Sequence, residues 1–568
     1  MIFIERFFQN RFFIFILCFL PLVFYGWFFQ SVALNANYIA YDDIHVLEIT
    51  DQWREATNWI EKLDWLTVGF PEHRIVFTRL MVLTTYYLTG GVNLKMLMVI
   101  SNLLWIGQLW ILYLIFRKSL LPVAYFIPIF WILLGVHSFE NIFWATSSLG
   151  NFGLLFFVMV AGYFYTKEAK GLIAWALLFS VIATFSYGNG LLAFLVGGFV
   201  LAITKRWRDL GITIGVFTVT MVLYLLTRTN ATPKVLDLTM ISNYWRAVSC
   251  YFGFIGSSVS LDVYVQSNFI LWLSVGWGIL LFGSIAFFVL PYPWAVVRSM
   301  FSKTTKKIAQ PSHLKLFALF LFLFVSLTAL GVIYKRSQWD GLEGMFKGRY
   351  RMYPTWLLAI GYLLVIDGMK RARSVWFLIS AIGLSVLFNL LVLYYAIAPA
   401  VNNRRMAAAQ EFNSMYNADW IGVKMFDLTG EDFLRLQKLY QPNLFFKAAE
   451  KNLFPIKTRL QKGFVLDSVY LENDNVFVSY QKDYIRPSKD FDDGAYVLLQ
   501  SPLHTYMHAG IQQALPLKTF LRRGWYWSKG FTAAFNRHSV APGIYRIYVL
   551  LRQNGQNDFI YTGREMTF

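Results

Sequence analysis

Residues 268–290 read NFILWLSVGWGILLFGSIAFFVL, a run of twenty-three residues without a charge. At about 1.5 Å per residue, a helix of that length crosses the ~30 Å hydrocarbon core of a bilayer. Runs of the same character stand before it at 12–32, 95–116, 120–137, 151–166, 171–186, 190–204 and 210–227. Others follow at 314–334, 354–367 and 375–396. The 568 residues are 57% hydrophobic and only 15% charged, where a soluble domain carries about a quarter charged residues. The expected fold is a polytopic α-helical membrane protein of about eleven transmembrane helices, with a soluble, mostly β tail.

The net charge is +19. A basic excess can signal nucleic-acid binding, but here the bases sit in short clusters between apolar runs. Arg117/Lys118, Lys167/Lys170, Lys205/Arg206/Arg208, Arg298 to Lys307 and Lys370/Arg371/Arg373 all fall on one side if the N-terminus is cytoplasmic. That is the pattern of inner loops, and it argues against a nucleic-acid partner. The first run, 12–32, is long for a signal peptide and lacks a small-residue cleavage site, so it reads as an uncleaved helix. Cys18 and Cys250 are the only cysteines, so the tail has no disulfide framework.

The same topology makes 33–94 a large outer loop. Its first part, 33–74, is rich in acids. The run 75–89 is short and broken by Arg79, and reads as a helix lying in the membrane interface. Residues 335–351 read KRSQWDGLEGMFKGRYR and place Lys335, Arg336, Lys347, Arg349 and Arg351 on the outer side, against the usual charge rule. Headgroup anchoring, pairing with the acidic loop and binding of an anion such as phosphate all account for it. Residues 1–396 thus form the membrane domain and 397–568 a non-cytoplasmic soluble one. The tail opens with helix-like stretches within 403–450 (NRRMAAAQEFNSMY, EDFLRLQKLY). Alternating runs then follow (GFVLDSVYLE, NVFVSYQK, GAYVLLQS, YRIYVLLRQ, DFIYTGREM), separated by ENDN, PSKD, APG and NGQND. Short strands at this spacing predict an antiparallel β-sandwich.

No phosphate-binding glycine loop, HExxH or paired CxxC occurs. The stretch that carries chemistry is Tyr41-Asp42-Asp43-Ile44-His45-Val46, just after the first apolar run. Adjacent carboxylates raise one another's pKa unless a cation intervenes, so the pair suits a general base, a ligand for a divalent metal, or both. An Asp that starts the following helix is the plainer alternative. Glu72-His73-Arg74 stand at the end of the acidic stretch, placed to meet a phosphorylated headgroup or simply to pair locally. A second outer turn carries His137, Glu140, Asn141 and Trp144. Trp144 is a candidate to stack on a sugar, or a member of the interfacial aromatic belt. Tyr187 and Asn189 read as turn residues.

Together these features resemble the GT-C superfamily of glycosyltransferases that use lipid-phosphate sugars, especially protein O-mannosyltransferases and bacterial aminoarabinose transferases. Y-D-D-I-H-V is similar to the mannosyltransferase motif F-D-E-V-H-F, with Asp rather than Glu at the second acid. The likeness covers the first third of the chain, and beyond that is architectural only. It implies an inverting enzyme that moves a hexose or pentose from a polyprenyl-phosphate carrier to an extracytoplasmic glycan, lipid or protein of the cell envelope. Asp42 takes the place of the catalytic acid, Asp43 that of its neighbour and His45 that of the motif His.

On that reading Asp42 is the base for the acceptor hydroxyl. Arg74, Lys335, Arg336, Arg349 and Arg351 are candidates for the donor phosphate, where fixed cations stabilise the leaving charge. His45, Glu72, His73 and Trp144 are candidates for substrate contacts. A divalent metal (Mg2+ or Mn2+) on Asp42 and Asp43 is a cofactor the pair can accept. The expected setting is a bacterial inner membrane, with the tail periplasmic or extracellular. The rivals are a transporter or flippase of lipid-linked sugars, for which no paired halves are visible, and a membrane acyltransferase working through His45, His73 or His137.

Overall fold

The computed structural model describes residues 10–33, 43–70, 73–119, 121–169, 171–227, 241–261, 267–301, 310–369, 374–417, 465–483, 485, 491–554 and 556–568. The chain packs as two compact units. One comprises Met1–Gly26, Asp51–Met81 and Leu97–Ala396, the other Trp27–Thr50, Val82–Met96 and Ile397–Phe568.

Among the described residues, seven helices are long and apolar enough to cross a membrane: Arg11–Ala33, Leu94–Ser119, Ala145–Tyr165, Trp207–Leu226, Asn268–Val289, His313–Ser337 and Val375–Gln410. Val123–Leu133, Leu172–Thr184 and Gly188–Ile203 are shorter apolar helices. The apolar runs of the sequence therefore fold as helices because each has a continuous apolar surface, and Arg11–Phe28 carries Pro21 inside it.

The helices of the first unit differ in what covers them. The apolar window of His313–Ser337 is 72% buried, that of Trp207–Leu226 only 11%. Thr213 and Thr220 are the buried residues of the latter. Its ends are held by arginines. At the start, Arg206 pairs with Asp209 (2.6 Å) and donates to the Tyr165 and Lys167 carbonyls, both at 2.8 Å. At the far end Arg74 donates to the Thr227 carbonyl at 2.9 Å and the Tyr224 carbonyl at 3.1 Å.

Helix Val76–Thr89 occupies the run read as interfacial. Its fourteen residues include Arg79. Arg79 is buried, and its Nη1 donates to the carbonyls of Leu66 (3.1 Å) and Val68 (2.6 Å). The charge that breaks the apolar run thus closes the end of helix Trp59–Thr67. An amphipathic helix covers Ile241–Gly256 and packs on Asn268–Val289. The contact is backbone on backbone. A Cβ on Gly256 would fall on the Ser274 carbonyl oxygen, and one on Gly278 on that of Phe252.

Helix Val375–Asn417 runs without interruption through Pro399. The stretch NRRMAAAQEFNSMY, expected as a separate helix in the tail, is its continuation. EDFLRLQKLY lies outside the described residues. Among the described residues the tail forms seven strands: β1 (Ser468–Glu472), β2 (Asn475–Tyr480), β3 (Gly494–Gln500), β4 (Thr505–Ala509), β5 (Phe531–Asn536), β6 (Ile544–Gln553) and β7 (Gln556–Thr567). They make two antiparallel sheets, β1-β2-β5 and β4-β3-β6-β7. Inward residues of both sheets, among them Val476, Val478, Val497, Leu499, Ile547 and Phe535, form one core, as alternation along a pleated strand requires. Asn473 and Asp474, at φ 49° and 60°, turn β1 into β2. This is the left-handed backbone that a two-residue hairpin with the native strand twist needs. The outer face of the four-stranded sheet is covered by Ala409 and Phe412 of the long helix.

Candidate functional site

The two units hold different candidates. In the second, Asp43 opens the short helix Asp43–Leu47 and is fully buried. His45 and Glu48, one turn apart on that segment, are half-buried, with Nδ1 and Oε1 3.7 Å apart. Asp42, the expected base, and Glu72 lie outside the described residues. Among those described, no group of three His, Cys, Asp or Glu is arranged to hold a metal ion.

In the first unit, polar residues from four chain segments gather at one place. His73 stacks on Tyr187, with ring centroids 4.1 Å apart. Its Nδ1 accepts from the Gly188 N–H at 3.4 Å, which in the neutral ring assigns the proton to Nε2. A Cβ at 188 would lie 2.9 Å from both His73 Nδ1 and the Tyr224 hydroxyl, so a larger residue there would displace these side chains. Asn189 donates to the Tyr353 hydroxyl (3.2 Å) and to Thr328 Oγ1 (3.3 Å). The buried Oδ1 of Asn189 has no protein partner.

Arg349 belongs to the same cluster. Its backbone N–H donates to Glu140 at 3.3 Å, and its carbonyl accepts from Asn141 at 3.0 Å. The guanidinium lies over the Tyr350 ring, 5.4 Å from its centroid. Burial by itself would lower its pKa, but Tyr350, Glu140 and Tyr187 more than offset this and raise it. Arg349 is therefore a permanent cation facing Tyr350, Tyr187 and the carboxylate of Glu140. Such a set can orient an oxyanion, with charge from the guanidinium and direction from phenol hydroxyls.

The other proposed phosphate ligands are engaged differently. Arg74 is buried, stacks on Tyr224 at 4.6 Å and gives its donors to Thr227 and the Tyr224 carbonyl. Arg351, fully buried, donates to the carbonyls of Phe346 (2.9 Å) and Ser260 (2.5 Å). Both guanidiniums hold backbone together. Lys335 and Arg336 are exposed near the end of helix His313–Asp340. Trp144 is buried, which leaves no open ring face for a sugar. His137 is buried with neither ring nitrogen bonded to protein. Burial and then the charge of Arg351 hold its pKa well below the usual histidine range.

Tyr187, Asn189, Tyr350 and Tyr353 are the members of this cluster that the sequence did not mark as functional. Comparison of the chain with family models, with curated proteins and with solved structures gives no match.

Proposed function

We propose that this chain is a multi-pass membrane glycosyltransferase that takes a sugar from a polyprenyl-phosphate carrier. We count the seven long helices, the three shorter apolar helices and Met352–Gly368 as the eleven crossings expected from the sequence. On this reading the N-terminus is cytoplasmic and the tail lies outside. Helices whose apolar faces are as open as those of Arg11–Ala33 and Trp207–Leu226 require lipid as their solvent.

The observation that carries the reading is the cluster around Arg349. A cation held against Tyr350 and Tyr187 suits a phosphate whose charge grows as the sugar bond breaks. The base that removes the acceptor proton is the one the sequence resemblance implies, Asp42. In the reaction the acceptor oxygen displaces the carrier phosphate at the anomeric carbon, its proton passes to the carboxylate, and the carrier leaves as the phosphate monoester.

The test is transfer from labelled polyprenyl-phosphate sugars to cell-envelope acceptor in membranes carrying wild type, Asp42→Asn or Asp43→Asn. Loss in Asp42→Asn at normal expression supports the reading. Full transfer by Asp42→Asn removes that base, and no transfer by wild type across several donors overturns the assignment in favour of a transporter or acyltransferase.

A further inference from the structure

Between Asp493 and Asp558 the tail has no acidic residue and seven of Lys or Arg. Lys518, Arg522, Arg523 and Lys529 of these fall on one excursion between β4 and β5. Its two arms form a short ladder. The Ser528 N–H donates to the Gln513 carbonyl at 2.9 Å, Ala514 bridges Trp527, and the Leu515 N–H donates to the Tyr526 carbonyl at 2.7 Å. Beyond the ladder the tip is the helix Leu517–Arg523, which ends on Gly524 in the left-handed conformation, at φ 71°. Residues 513–528 are thus a finger with a helical tip.

The finger is fastened to the long helix Val375–Asn417 on successive turns. At its root Gln512 Oε1 accepts from Arg405 Nη1 at 2.7 Å, and the Gln512 backbone exchanges two hydrogen bonds with the Asn402 side chain, at 2.8 and 3.1 Å. Nearer the tip, the Tyr526 hydroxyl accepts from the Ala398 N–H at 3.0 Å. The attachments therefore step back along the helix, from Arg405 to Ala398, toward its apolar half. Counted from Val375, which follows the inner bases Lys370, Arg371 and Arg373, Ala398 lies about 35 Å along the axis at about 1.5 Å per residue. A hydrocarbon core of about 30 Å ends just short of that level, and the headgroup layer begins there. The tip is held where the chain leaves the bilayer.

Its side chains suit that layer. Phe520 meets Tyr526 edge to face (6.3 Å, 82°) and fixes the inner side of the tip helix. Lys518 and Arg522, one turn apart, lie on the opposite side, and both are exposed. Leu521 beside them is 73% exposed. Trp525, Tyr526 and Trp527 follow, residue types of the interfacial belt. A nucleic acid would use the bases but gains nothing from an exposed leucine. A bilayer surface takes both, the bases at its phosphates and the apolar side chain beneath them, and the lack of acids favours lipids of net negative charge. We propose that this finger binds anionic phospholipid of the outer leaflet, with Lys518 and Arg522 on the headgroup phosphates and Leu521 below them. The inference goes beyond the transferase reading and shares only its membrane topology.

The test is hydrogen–deuterium exchange on the full chain in nanodiscs of phosphatidylcholine alone and of phosphatidylcholine with phosphatidylglycerol. The amides of Leu517–Arg523 exchange about tenfold more slowly when phosphatidylglycerol is present. Added salt shrinks the difference in wild type. Lys518→Gln/Arg522→Gln abolishes it and Leu521→Ser reduces it, while the amides of β3 and β6 exchange as in wild type. Equal exchange of the tip in the two lipids, or a difference that the folded double variant keeps, overturns the proposal. No sugar donor is present, so a chain that transfers nothing still passes or fails this test.

Discussion

Arg404 and Asp492 form a two-pronged ion pair: Nη2 meets Oδ2 at 2.8 Å and Nε meets Oδ1, while Nη1 donates to the Ser31 carbonyl. All three guanidinium nitrogens are in use, and the Arg404 side chain is only 6% exposed. Removing one partner strands the other charge where water reaches it poorly. Asp492→Asn or Arg404→Met is expected to cost about 3 kcal/mol. The double variant Arg404→Met/Asp492→Leu recovers part of that, because no charge is then left alone. Thermal unfolding of the four proteins closes the cycle, and strict additivity would deny the coupling.

His508 of β4 stacks on Phe535 at 3.8 Å, with its Nε2 unbonded. Burial pushes its pKa down to about 3. The folded ring therefore stays neutral below pH 6.5, where the unfolded ring takes up a proton. Stability is fully present above about pH 6.5 and is lost as the pH falls toward 3. His508→Phe keeps the stack and removes the proton uptake. The melting temperature of the tail should then fall less between pH 7 and pH 5 than in wild type. Parallel curves would show that His508 is not the source of the acid sensitivity.

Gly256 and Gly276 make a matched pair for the helix contact. Helix backbone fills the space beyond Gly256, whereas nothing lies within 4 Å of a Cβ on Gly276. Gly256→Val is expected to force the helices apart at a cost of about 3 kcal/mol or more. Gly276→Ala is neutral or gains up to about 1 kcal/mol of helix propensity. Detergent-solubilised yield and melting temperature report both, and equal behaviour would contradict the backbone contact.

Arg349 and Arg351 are two residues apart and have separate duties. Arg349→Gln should lower transfer about a hundredfold, as loss of a transition-state cation does, with unchanged melting. Arg351→Gln should lower the melting temperature, because buried carbonyls of Phe346 and Ser260 lose donors worth about 1–3 kcal/mol. The reverse outcome would exchange their roles.

Uncharged runs of about twenty residues have few alternatives to a helix, and for that reason the apolar helices were legible from sequence. Strands β1, β2, β3, β6 and β7 were legible from their alternation. TYMHA and FTAAFN, the strands β4 and β5, were passed over. They are short, and alanine and histidine fill positions that Val or Ile would have marked. Ile241–Gly256 was hidden because half its surface is polar, and its partner is a glycine face that composition does not advertise. At the site, sequence marks an arginine but not what its nitrogens already hold. Arg74 and Arg351 bind carbonyls, and only Arg349 combines a raised pKa with a ring of phenols. Tyr187 and Asn189 looked like turn residues because they lie in a turn; the histidine that one of them meets comes from more than a hundred residues earlier.

The helix Trp207–Leu226 is moored by arginines at both ends and has almost nothing buried between them. Its middle gains little by staying against its neighbours, while the ends resist being pulled away. Such a helix keeps its place by its two ends and not by its flank, so nearly its whole length is left to face lipid.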